Sequence, residues 1–453
     1  MNNKGVILLV ATIASFLTPF IGSSVNVALP TIGKEFAVDV IVLGWVATSF
    51  ILSSAMALVP LGRIADIYGR KKIFTYGMVI CTISSLLSGI STSAAMLISL
   101  RILQGIGGAM VFGTGVAIVT SVFPIGERGR ALGINIASVY VGLSLGPVLG
   151  GLLTQHFGWR SIFFATVPLG LVVIIAVLWK LKGEWTEAKG ERFDLTGSLI
   201  YSLALVAVMY GFSVLPALLG VWLIGIGTLG ILAFIWWEMK TKSPVLNMNL
   251  FRNNAVFSFS NLAALINYSA TFAVSFLLSL YLQYIKGFTP AHTGLILVSQ
   301  PVVMAVLSPV AGRLSDKIEP RLIASVGMAL TTVGLVLLIF LNQNAGLGFI
   351  LVSLVILGLG FALFSSPNAN AVMSSVEKKF YGVASGTLAT MRSIGQMLSM
   401  GVTMLLFALY IGRVQITPEY YLAFLISIKT AFIIFAILCF GGTFASLARG
   451  KAR

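Results

Sequence analysis

Acidic residues are scarce in this chain: 13 Asp and Glu in 453 residues, alongside only 2 His and 2 Cys. All charged types together make up 9% of the chain against an apolar 58%, whereas soluble domains carry roughly a quarter charged residues. So few charges cannot cover the surface of soluble domains, and so apolar a composition excludes a disordered chain. The bilayer is therefore the main solvent. Cys81 and Cys439 both fall inside apolar stretches, which excludes a disulfide framework. His156 and His292 are isolated at the ends of apolar segments, and no cluster of metal-ligand type accompanies them. Neither an enzyme nor a cofactor or metal is expected. No glycine-rich phosphate loop followed by Lys-Ser/Thr occurs, which removes ATP-driven transport by this chain alone.

What is present is long apolar runs. A crossing needs about 20 mostly apolar residues in helical form, because lipid cannot satisfy open backbone groups. Fourteen segments meet that requirement, near 5–29, 42–61, 74–92, 96–121, 131–154, 161–180, 195–214, 217–237, 255–284, 291–311, 321–341, 346–366, 383–411 and 421–447. The first is too long for a signal-peptide core and is expected to be retained as a span.

Cations are lopsided in number and in place. Of 29 Lys and Arg, 22 fall on loops of one face, among them Lys182, Lys242, Lys378, Lys379, Arg449, Lys451 and Arg453. Four fall on the other face, and Arg101, Arg392 and Lys429 fall within spans. Cytoplasmic loops carry the excess of Lys and Arg, so the cation-rich face and both termini are expected to be cytoplasmic. With no soluble basic domain, the excess does not imply nucleic acid.

Two loops repeat. Gly62-Arg63-Ile64-Ala65-Asp66-Ile67-Tyr68-Gly69-Arg70-Lys71-Lys72 and Gly312-Arg313-Leu314-Ser315-Asp316-Lys317 each follow an even-numbered span. Duplicated halves with cargo held between them near the midplane are a common transporter architecture. Residues 1–182 are expected to form a first six-helix bundle and 255–453 a second. Residues 183–254 form a linker with two extra transmembrane helices.

Four further blocks stand in order: Arg101-Ile102-Leu103-Gln104-Gly105-Ile106-Gly107-Gly108; Gly142-Leu143-Ser144-Leu145-Gly146-Pro147-Val148-Leu149-Gly150-Gly151; Trp159-Arg160-Ser161-Ile162-Phe163-Phe164; and Ser366-Pro367-Asn368. With the Gly62 loop, this set resembles the major facilitator superfamily, specifically its fourteen-helix drug:proton antiporter branch. The resemblance implies an all-α polytopic membrane protein of the major facilitator fold, with two six-helix bundles plus two inserted helices. It also implies an exporter of small amphiphilic compounds in the cell membrane, working by alternating access and coupled to protons.

In that reading Gly62, Asp66, Gly69, Arg70, Gly312 and Asp316 form a conformational switch. Gly142, Gly146, Pro147, Gly150 and Gly151 pack helices closely and allow bending. Arg101 and Gln104 lie one turn apart on one helix face. Arg392 lies about ten residues into its span, roughly 15 Å deep. These three, with Asn26, Trp45, Gln300 and Asn368, are the candidates for contact with substrate or coupling ion. Tyr140, Tyr268, Phe272 and Phe276 are further aromatics that could line a drug cavity. The expected partners are membrane lipid, a small-molecule substrate and protons, and the expected state is a monomer.

One departure stands out. Val25-Asn26-Val27-Ala28-Leu29-Pro30 matches the family's end of the first helix, but its usual membrane aspartate aligns with Ile21. By position along the chain, no acid lies deep in a span. A positive cavity without a membrane carboxylate favours anionic or zwitterionic amphiphiles. An uncoupled facilitator, or a lipid or anionic-amphiphile transporter or scramblase, is the alternative reading.

Overall fold

The computed structural model describes residues 3–123, 125–181, 183–241, 243–246, 248–377 and 381–450. Lys182, Lys242, Lys378, Lys379, Lys451 and Arg453, counted above among the cation-rich loops, lie outside the described residues. The described residues contain helices and no strand. Fourteen helices are long and apolar enough to cross a bilayer: α1 (Lys4–Phe36), α2 (Val40–Tyr68), α3 (Arg70–Gly89), α4 (Ala94–Val122), α5 (Arg130–Phe157), α6 (Arg160–Lys180), α7 (Leu195–Val214), α8 (Leu218–Lys240), α9 (Ala255–Ile285), α10 (Pro290–Lys317), α11 (Pro320–Ile339), α12 (Leu347–Ser374), α13 (Tyr381–Tyr410) and α14 (Pro418–Ala448). Helix starts are set locally by short polar side chains. Asp39 accepts from the amides of Ile41 and Val42, Ser93 from Met96 and Asn254 from Phe257, each satisfying donors that a helix N-terminus leaves open.

The packing scheme repeats. In the first six helices α1 lies on α5, α2 on α4, α3 on α4 and α3 on α6. In the last six α9 lies on α13, α10 on α12, α11 on α12 and α11 on α14. The contacts between these groups are reciprocal as well, α2 with α13 and α5 with α10. Helices α7 and α8 pair with each other. α7 also seats against α2 and α13, with the Tyr201 hydroxyl donating to the Ala55 carbonyl at 3.0 Å, while α8 stands outside it.

Small residues decide how closely α5 meets both its own group and the other. On α5, added Cβ atoms at Gly142, Gly146 and Gly150 would run into α1, the last within 2.7 Å of Ser24 Cα. Ser24 Oγ donates to the Gly146 carbonyl at 2.9 Å across the same seam. The neighbouring edge of α5 faces the other group: a Cβ on Gly151 would overlap the Pro290 carbonyl, and one on Gly294 the Pro147 carbonyl.

The hydrogen bonds joining the two groups lie at one end of the molecule. Ser279 Oγ donates to the Asn26 carbonyl at 2.8 Å, Gln283 Nε2 to the Val27 carbonyl at 2.9 Å, and the Ala291 amide to Gln155 Oε1 at 3.2 Å. The Val40 amide reaches the Val414 carbonyl at 3.1 Å. All these residues sit at the helix ends away from the cation-rich loops. Because this seam tolerates no side chain at position 294, Gly294→Ala should force it apart. The distance between spin labels at Phe157 and Asn344 is expected to lengthen in double electron–electron resonance, and an unchanged distribution would show that the seam does not depend on this contact.

Candidate functional site between the bundles

Arg101 is buried at 1% exposure, and its partners all come from the first group of helices. Nε donates to the Val46 carbonyl of α2 at 3.2 Å and Nη1 to Gln104 Oε1 at 2.6 Å, and Gln104 Nε2 donates on to Ser85 Oγ of α3 at 2.7 Å. The guanidinium stands 4.4 Å from the centre of the Phe50 ring. A buried charge is tolerated when donors find acceptors and its face is covered; here Nε and Nη1 are bonded and Phe50 covers the guanidinium face. Ile21 lines a small cavity beside it, with Gln104, Ser85, Phe50 and Thr18. Position 21, where the sequence resemblance leads one to expect a carboxylate, thus lines the cavity beside this network.

Arg392 differs on every count. It is half-buried on α13, its Nε is enclosed without a partner, and it makes no ion pair among the described residues. Its nearest aromatic group is the Tyr268 ring of α9, 5.5 Å from the guanidinium carbon. Tyr268 lies edge-on to Phe361 of α12 at 5.2 Å, with Ser365 one turn further along α12 beside it. Tyr140 of α5, from the other group, lies in the neighbourhood of Tyr268. Arg392, Tyr268, Phe361, Ser365 and Tyr140 thus form a cluster contributed by both groups. It combines aromatic faces, hydroxyls and one cation whose donors are unused. The structure does not bring Arg101 into it.

The other sequence candidates are dispersed. Asn26 joins the inter-group seam through its carbonyl. Trp45 lies 6.3 Å from the Tyr210 ring of α7, so it faces the inserted pair. Gln300 is buried on α10 where α12 crosses it at Gly358. Asn368 donates to the Ser260 carbonyl at 3.1 Å and accepts from Arg449 Nη1 at 2.9 Å. Phe276 packs on Phe407 inside the second group.

Arg449, counted from the sequence as a rim cation, is fully buried. It also reaches Ser260 and Ser446, pinning the chain after α14 to α9 and α12. Burial pushes its guanidinium down to about 10, which leaves it charged at neutral pH.

The Gly62 to Lys72 loop is clamped by the segment that follows α6. Arg70 holds Asp66 and Glu187 in ion pairs of 2.7 Å each and donates to Ser121 Oγ at 3.0 Å. The Asp66 carbonyl accepts the Glu187 and Ala188 amides, Glu184 accepts the Lys71 amide at 2.7 Å, and Arg63 pairs with Glu191. Gly69 sits at φ 123° between α2 and α3 with the Glu184 side chain against it, a position that admits no Cβ. In the repeat, Asp316 accepts from Asn370 of α12 at 3.3 Å, and a Cβ on Gly312 would lie 2.9 Å from Ser366 Oγ.

Sequence position alone hid one residue. Glu238, near the end of α8, is 3% exposed and is the one buried carboxylate among the described residues. The signal was present as a stripe: Gly220, Gly227, Phe234 and Glu238 are the buried residues of α8 and share the face turned to α7.

Arg101→Ala would strand the Val46 and Gln104 carbonyls in apolar surroundings. It is expected to lower the melting temperature in detergent by several degrees, with only partial rescue by Arg101→Lys, whose ammonium lacks the planar fork. A melting curve identical to wild type would contradict the packed role.

The model for the Major Facilitator Superfamily matches residues 11–266 and again 260–451. The riboflavin transporter RibZ of Clostridioides difficile (strain 630) is 30% identical over 445 residues, covering 98% of this chain and 96% of that protein. The multidrug resistance protein Stp of Mycobacterium tuberculosis (strain CDC 1551 / Oshkosh) is 32% identical over 412 residues, covering 89% and 76%. Among solved structures, the peptide transporter POT superposes with a TM-score of 0.71 at 13% identity, covering 97% of this chain and 98% of that one. With a matching family model across the chain and fourteen apolar helices in that family's fold, this multi-pass integral protein of the cell membrane belongs to the Major Facilitator Superfamily.

Proposed function

We propose that the protein is a monomeric, proton-coupled exporter of small amphiphilic compounds. Residues 1–182 and 255–453 rock as two bundles about the Arg392–Tyr268 cluster, and 183–254 carries the inserted pair. The observation that carries this reading is the distribution of contacts between the bundles: their hydrogen bonds lie at the cation-poor end, on either side of close-packed backbone. Taking the cation-rich face as cytoplasmic, this is the state closed to the outside. The clamp around Asp66 and Arg70 then belongs to the inner face, where the segment after α6 occupies the cations of the first repeat loop.

The site also speaks to cargo. Arg392 faces aromatic rings and hydroxyls with no acidic partner among the described residues. A planar aromatic molecule bearing an anionic or strongly accepting edge would stack on Tyr268 and Phe361 and use the free guanidinium donors. The relatives named for riboflavin transport and multidrug resistance are compatible with an amphiphilic, ring-bearing cargo. An uncoupled facilitator or a scramblase is the competing reading, since Ile21 supplies no proton carrier in α1.

Uptake into inverted vesicles with an acid interior separates these readings. Accumulation of riboflavin or an anionic aromatic dye above its gradient, abolished by a protonophore, is the expected result; uptake that never exceeds equilibrium contradicts coupling. Hydrogen bonds to a charged group contribute about 1.5–3 kcal/mol, so Arg392→Ala should weaken uptake of the anionic dye roughly ten- to hundredfold. Preferential transport of tetraphenylphosphonium, undiminished by Arg392→Ala, would overturn the cargo assignment.

A further inference from the structure

The inserted helix pair carries the one buried carboxylate among the described residues, and that carboxylate faces a second one. Asp194 caps α7, accepting the Gly197 amide through Oδ1 at 2.9 Å and the Trp237 indole N–H through Oδ2 at 2.8 Å. Glu238 accepts the Leu246 amide through Oε2 at 2.8 Å. Its Oε1 is buried and has no donor. An oxygen of each converges on Gly197: Asp194 Oδ2 lies 2.5 Å and Glu238 Oε1 2.7 Å from the point where a Cβ on that residue would stand. The glycine leaves the space in which the two carboxyl groups meet.

Among the described residues no cation pairs with either of them. α8 packs on α7 and on the short helix Met248–Asn253. From α7 the facing titratable group is Asp194. From the short helix it is Arg252, which is exposed, and on α8 itself Lys240 turns onto the Trp236 ring at 3.9 Å. Arg192, next to the cap, is also exposed. Two ionised carboxylates close together, one of them out of water and neither with a counter-ion among the described residues, repel strongly. A hydrogen between them turns the orphaned Oε1 into a donor or an acceptor and removes one charge.

We propose that Asp194 and Glu238 form a proton-binding site of the inserted helix pair, holding a single proton between them and exchanging it with water at the cation-rich face. Binding converts one carboxylate to a carboxylic acid that donates to the other; release returns the proton to solvent through half-buried Asp194. Release leaves two like charges, and the relief available is separation of the α8 end from the α7 start. That end carries the loop tied to Glu238 through Leu246, which leads into the second bundle. The proton thereby acts on the joint between insert and bundle. This site bears on the proton-exchange reading above, supplying an acid that α1 lacks, but its test needs neither cargo nor transport.

Trp237 is a built-in reporter, since its indole donates to Asp194. In purified full-length protein, the emission difference between wild type and Trp237→Phe should show one transition over roughly pH 5 to 9. Glu238→Gln keeps an acceptor for Leu246 and a donor for Asp194, and it should abolish that transition. Should Glu238→Gln not be recovered folded, Asp194→Asn is read the same way. A flat difference signal in wild type, or a transition that survives the carboxylate substitution, overturns the proposal. Either result stands apart from whether vesicles accumulate any cargo.

Discussion

Lipid offers no hydrogen bonds, and that constraint places the buried arginines of the two bundles. Arg101 enters the first bundle with its donors spent on Val46 and Gln104 and its face covered by Phe50. Arg449 closes the second bundle by binding Ser260, Asn368 and Ser446. Among the buried polar atoms left without a hydrogen-bond partner, two bear on the readings above. They are the Nε of Arg392, between the bundles, and Oε1 of Glu238, in the inserted pair. One is a cation open to an anion and the other a carboxylate open to a proton. They are where ligands of opposite sign are proposed to act.

The two ends of the molecule are held by different physics. At the cation-poor end, α5 meets α10 through glycines and backbone carbonyls, and short polar side chains bridge α1 to α9. Such a seam is strong while intimate and is lost once separated by a methyl group's width, because dispersion falls off within an ångström. At the cation-rich end, Arg63, Arg70 and Lys71 are held by acids of the segment 184–191. Ion pairs reach further than packing contacts, and the acids Glu187 and Glu191 are exposed and free to change partners, although Arg70 itself is buried. A seam that is open or shut at one end and a set of exchangeable charges at the other suit a two-state machine.

Much of the fold was legible because a span announces itself by length and composition, and because the repeat loops fix which helices correspond. Fourteen helices appear where fourteen apolar segments were read, with ends extended by the polar turns that hydropathy cannot see, as at Asp39. The site was less legible. Period and spacing do not say which face of an apolar helix meets which neighbour, so Asn368 and Trp45 looked like cavity residues, yet one binds Arg449 and the other turns to Tyr210. Arg449 looked like a tail charge because nothing in its neighbourhood in the sequence shows that α9 and α12 converge there. Glu238 was hidden for the converse reason, a lone acid beside two tryptophans at a helix end. Its burial follows from the Gly220, Gly227, Phe234 stripe only once α7 is known to lie against it.

The central claim is that the cluster around Arg392 and Tyr140 communicates with the cation-rich side while the opposite end is closed. A single cysteine at position 140, in a chain with Cys81 and Cys439 replaced, tests it with a membrane-impermeant thiol reagent applied to inverted and to right-side-out vesicles without cargo. The account predicts labelling in inverted vesicles and protection in right-side-out ones. Labelling from the right-side-out face alone, or equally from both, would contradict it.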